Sequence, residues 1–161
     1  MTASYHFERP QHFTAGTTGP KGQRTFFLQF GEPGELVSLK LEKGQVHALA
    51  EFFDQLLDPV DVAEEDVPLA LDLIDPVEAA WVVASIGVAY EEDDNQFVVV
   101  IEQLLDEDDD ADPATAEVHL TPGQVQAFVT RSRDLVASGR PPCEFCGRPL
   151  DDDDGWCPCY N

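Results

Sequence analysis

Leu39-Lys40-Leu41-Glu42-Lys43-Gly44-Gln45-Val46-His47-Ala48-Leu49 and Val118-His119-Leu120-Thr121-Pro122-Gly123-Gln124-Val125-Gln126-Ala127-Phe128 align at a constant offset of 79 residues. Each stretch opens with alternating apolar side chains and then changes period. Val46, Leu49, Ala50, Phe53, Leu56 and Leu57 recur at helical spacing, and Val125, Phe128, Val129, Ser132, Leu135 and Val136 stand at the same offset. Both segments therefore read as a strand running into an amphipathic helix. Thr121 is placed as N-cap, with Pro122 in the first helical position and Gln124 closing a capping box; Gly139 stops this second helix.

The segments upstream match in kind. His12 to Gly16 and Thr25 to Phe30 read as strands around the turn Gly19-Pro20-Lys21-Gly22, and Gly31-Glu32-Pro33-Gly34 turns the chain into a strand over Leu36 to Leu41. In the second half, Trp81 to Tyr90 and Phe97 to Leu105 read as strands joined by the acidic turn Glu91 to Asn95, followed by a strand over Ala116 to Leu120. The predicted fold is α+β: two pseudo-symmetric β-β-β-α repeats, an antiparallel sheet with two helices about a pseudo-two-fold axis. The repeats cover about 11–57 and 81–138. Residues 58–80 connect them, with Asp75-Pro76-Val77-Glu78 placed to start one helical turn. The two-repeat domain is expected over 1–139, followed by a small tail, 140–161.

Composition supports a packed domain: 43% of residues are hydrophobic, with ten Phe, enough for a core. The charge is extreme, 32 acids against nine bases and a net −23. From Gly44 to Thr130 the chain holds no Lys or Arg. Nucleic acid and anionic membranes are excluded as partners, since both need clustered Lys and Arg. The acidic middle reads as a solvated surface, or as a docking face for a basic protein or a cation. No secretory leader is visible, and the uncharged apolar stretch from Ala79 to Tyr90 is too short to span a bilayer.

All four cysteines lie near the end, in Cys143-Glu144-Phe145-Cys146-Gly147 and Cys157-Pro158-Cys159. The spacing is that of a small structural zinc site with Cys143, Cys146, Cys157 and Cys159 as ligands. A dithiol redox pair, disulfides or idle thiols are the alternatives; four thiolates would leave no open position for catalysis. Metal-held thiols favour a reducing cytoplasm.

The block His12 to Gln29 and the tail Gly139 to Leu150 resemble a family of actinobacterial proteins without an assigned activity. Tails of that family run Cys-x-x-Cys-Gly-x-Pro-Leu, then a His and Cys-Pro. Gly155 stands here where the His is expected, and the resemblance implies that Cys159 replaces it.

Other candidates are weaker. Arg9, Lys21 and Arg24 gather basic charge about the Gly16 to Arg24 loop, which reads either as an anion site or as ordinary hairpin turn chemistry. The loop lacks P-loop spacing. His47 reads as surface, His119 as facing away from the core, and no catalytic triad or nucleophile elbow is present. Asp106 to Asp110 lack the glycine and distal Glu of an EF-hand loop and read as solvated. The function expected is a non-enzymatic, zinc-stapled interaction or regulatory protein. The competing class is an enzyme or anionic-ligand binder using the Gly16 to Arg24 loop.

Overall fold

Among the described residues, seven strands and two helices follow one another as β1 (Tyr5–Glu8), β2 (His12–Thr18), β3 (Thr25–Glu32), β4 (Glu35–Leu41), α1 (Lys43–Leu57), β5 (Ala79–Glu91), β6 (Gln96–Gln103), β7 (Thr115–Leu120) and α2 (Pro122–Ala137). The computed structural model describes residues 3–20, 22–60, 62, 68 and 71–137. The fold is mixed α+β, with one sheet in the order β1-β7-β6-β5-β4-β3-β2.

Strands β2-β3-β4 form one antiparallel meander and β5-β6-β7 another. The antiparallel sheet expected from the sequence is corrected at two seams, because β4 pairs with β5 in parallel and β1 pairs with β7 in parallel. The first seam follows from α1, a crossover that returns the chain in the direction of β4. The second comes from β1, a short strand whose single buried side chain, Phe7, gives little periodic signal. The helical turn expected at Asp75 to Glu78 is absent as well: Asp75 lies at a bend, and Pro76 to Glu78 lead directly into β5.

The ends of the strand order, β1 and β2, are consecutive in the chain, separated by Arg9, Pro10 and Gln11. Seven flat strands would hold their outer members about 29 Å apart, at ~4.8 Å per neighbour. Four Cα steps from Glu8 to His12 reach at most ~15 Å. The sheet must therefore curl until its ends meet. Its inner face and the helix pair enclose the core, in which Phe53 meets Phe13, Phe97 and Phe128 at ring-centroid distances of 6.5, 6.0 and 5.6 Å. Across the outer side of the helix pair, Arg133 bridges Glu51 at 3.2 Å and Asp54 at 3.0 Å. Asp54 and then Glu51 raise the Arg133 pKa further above its ordinary value.

The outer face of β2-β3-β4 is covered by the incoming connector. Gln29, fully buried, uses its whole amide: Oε1 accepts from Ile74 N at 2.8 Å and lies 2.8 Å from His12 Nε2, while Nε2 donates to Ser38 Oγ at 3.1 Å and Ile74 O at 3.0 Å. Thr14 Oγ1 donates to Leu71 O at 2.6 Å. Gly16 permits the close approach, because a Cβ there would overlap the Leu73 side chain.

Candidate functional site

The two helices begin alike. Gln124 Oε1 accepts from Thr121 N at 3.0 Å, closing the expected capping box. Its Nε2 reaches out of the helix to donate to Pro10 O at 2.6 Å. Gln45, 79 positions earlier, accepts from Glu42 N at 2.8 Å and donates to Val83 O and Ala84 O at 3.3 Å. Each glutamine thus caps its own helix and reaches out of it to a neighbouring backbone, Gln45 to β5 where that strand changes partner and Gln124 to the link between β1 and β2.

Beyond these grips the two helix–strand seams differ. Along α2, Phe128 is buried against Phe13 and Arg131 donates Nε–H to Ala15 O on β2 at 3.3 Å, with its guanidinium 3.4 Å from Asp72. Leu49 and Phe52 hold the matching positions on α1. Phe52 is 46% exposed, and its phenyl ring cannot hydrogen-bond a strand carbonyl. The result is an open groove of ≈ 280 Å³ between α1 and β5, lined by Ala48, Leu49, Phe52, Ala84, Ile86 and Val88. Strand β5 pairs with β4 through Ala79 and Val82, then with β6 through Glu91. Among the described residues, no strand pairs with its α1-facing edge from Ala84 onward. The groove joins an apolar wall to an open backbone edge.

Charge divides along the groove. Lys40 and Lys43 stand near its upstream end, while β5 runs downstream into Glu91, Glu92, Asp93 and Asp94, all exposed.

A second cluster lies on the outer face of the β1–β7 seam. The parallel register sets His6 opposite Glu117 and Glu8 opposite His119. Glu117 Oε2 lies 2.9 Å from His6 Nδ1 and 3.2 Å from His119 Nε2, and His6 Nε2 lies 3.6 Å from Glu8 Oε1. One ligand atom each from His6, Glu117 and His119 falls within 4.8 Å of the others. The sequence carries the signal as His6-Phe7-Glu8 and Glu117-Val118-His119, since residues two apart share a strand face. It does not show that β1 returns beside β7.

The sites expected from the sequence fare differently. Cys143, Cys146, Cys157 and Cys159 lie outside the described residues, as does Lys21. Arg9 sits beyond the His12 end of β2, and Arg24 lies just past the Thr18 end, where Thr18 faces Thr25. About 20 Å of strand separates these ends, so the structure does not bring the two arginines together. Arg24 instead donates to Leu135 O on α2 at 3.3 Å and lies 5.1 Å from the Phe26 ring centroid. Gly19 and Gly22, both at positive φ, shape the hairpin tip, with Gln23 N donating to Pro20 O at 3.0 Å. His47 is exposed and His119 sits on the outer face as expected, whereas His12 is buried against Gln29. Asp106 to Asp110 are exposed.

The profile of the family described as "protein of unknown function (DUF3090)" matches residues 5–157. The chain belongs to this family. The DUF3090 match spans both meanders and both helices and extends to Cys157, stopping short of Cys159. No curated protein and no solved structure matches the chain. Among the described residues, no helix is long and apolar enough to cross a membrane.

Proposed function

We propose that this DUF3090 protein is a non-enzymatic interaction protein that receives an extended, basic segment of a partner in the α1–β5 groove. The open edge of β5 carries the reading. An added strand would satisfy its backbone groups while alternate side chains enter the apolar floor formed by Leu49, Phe52, Ile86 and Val88. The acids at Glu91 to Asp94 favour lysine or arginine where the segment leaves the groove, and the net charge of −23 steers such a partner inward. The tail fits this role as a zinc-stapled appendage, held through Cys143, Cys146, Cys157 and Cys159 in a reducing cytoplasm.

The two halves descend, on this reading, from one duplicated β-β-β-α unit. Gln45 and Gln124 act alike at matching positions, and Asp54 pairs with Arg133, its own match, as residues beside a two-fold axis do. Divergence then closed one seam and left the other for binding.

The test uses a short peptide of alternating valine and threonine flanked by lysines, titrated into the isotope-labelled full chain. Amide shifts confined to 84–91 and the facing side of α1 are expected. Phe52→Arg should weaken binding at least ~10-fold, the equivalent of removing one apolar anchor. Equal binding of a glutamate-flanked peptide, or of one with proline at alternate positions, would refute the reading, as would shifts elsewhere.

A further inference from the structure

We infer that His6, Glu117 and His119 form a second metal site, distinct from the cysteine tail and suited to a divalent transition ion of the Zn²⁺ class. Two imidazoles and one carboxylate are a borderline nitrogen–oxygen donor set, which Zn²⁺, Co²⁺ and Ni²⁺ accept and Ca²⁺ or Mg²⁺ do not favour. A tetrahedral ion with bonds near 2.0–2.1 Å needs ligand atoms about 3.4 Å apart. Glu117 Oε2 is already 2.9 Å from His6 Nδ1 and 3.2 Å from His119 Nε2, and the three ligand atoms all lie within 4.8 Å of one another, so rotation of the two imidazoles would seat an ion.

The surroundings strengthen the case. The four side chains alternate across paired strands, and the backbone register fixes their spacing without help from a loop. His119 is the anchored ligand at 16% side-chain exposure, while His6 at 54% faces solvent and leaves an approach for the ion. Without metal, ring N–H groups on both histidines donate to the Glu117 carboxylate. An ion takes the lone pairs instead, so each ring proton must move through solvent to the other nitrogen, from Nδ1 to Nε2 on His6 and from Nε2 to Nδ1 on His119. Glu8 Oε1 stands 3.6 Å from His6 Nε2, ready to accept the relocated N–H and orient the ring. Three protein ligands leave a fourth position for water.

The site would also join the first strand to the last. It clips β1 onto β7, the pairing next to the point where the ends of the curled sheet meet, and the ion therefore binds the folded chain alone.

The experiment titrates Co²⁺ into the full, metal-stripped chain under reducing conditions. Thiolate ligation by the tail is marked by intense near-ultraviolet charge-transfer bands, whereas the histidine–glutamate site shows d–d bands without them. Wild-type protein should show a thiolate-free class of one ion per chain, and raise its thermal midpoint as that class fills. His119→Ala should lose this class, with affinity falling at least ~100-fold, and leave the thiolate class unchanged. Glu117→Gln, an isosteric change at a half-buried position, should weaken it at least ~10-fold, and Glu8→Gln about 10-fold through ring orientation. Circular dichroism confirms that each variant is folded, and Glu117→Gln decides the matter should His119→Ala fail to fold. No thiolate-free class in the wild type, or equal binding by wild type and Glu117→Gln, would overturn the site.

Discussion

Strands β2 and β5 each lie beside a helix whose first turn is capped by a glutamine, yet one seam is shut and the other open. At the α2–β2 seam, Arg131 donates to Ala15 O and holds Asp72 of the connector. At the α1–β5 seam, Phe52 occupies the matching place, and among the described residues no strand covers the β5 edge from Ala84 onward. The contrast teaches that one side chain decides whether a strand edge is consumed within the fold or offered outside it. An exposed edge next to an apolar wall is a hazard unless something is meant to cover it.

The largest effect should separate neighbours in α1. Phe53→Ala removes a fully buried ring shared by both halves and should cost about 3–5 kcal/mol in denaturant unfolding. Phe52→Ala, one residue away on the open groove, should stay within about 0.5 kcal/mol. A large cost at Phe52 would mean the groove is already filled.

A smaller effect should come from moving the α1 residue into α2. Arg131→Phe removes the Arg131 donor from Ala15 O and frees Asp72, and should destabilise by about 1–3 kcal/mol. It should also expose the β2 edge and raise the tendency to self-associate, read by sedimentation. An unchanged stability would show that α2 alone closes the seam.

Much of this layout was legible in the sequence. The offset of 79 between Gln45 and Gln124 marks both helix starts, and the alternation in Thr25 to Phe30 and Phe97 to Leu105 marks the central strands. The pairings between halves were not legible, because a strand's pattern says which face is buried and nothing about its neighbour. For that reason β1 escaped notice and the β4–β5 seam was expected to be antiparallel. The open groove was hidden for a related reason: Phe52 reads as an ordinary aromatic residue beside Phe53, and its exposure depends on where β5 changes partner. His6 and His119 stand 113 positions apart, and parallel register alone brings them together.

Amide hydrogen exchange on the isolated full chain tests the contrast most directly. Every second amide of 84–91, those facing α1, should exchange far faster than the amides of 12–18, and become protected when the lysine-flanked peptide is added. Equal protection of the two strands in the chain alone would contradict it, since the β5 edge would then already be covered.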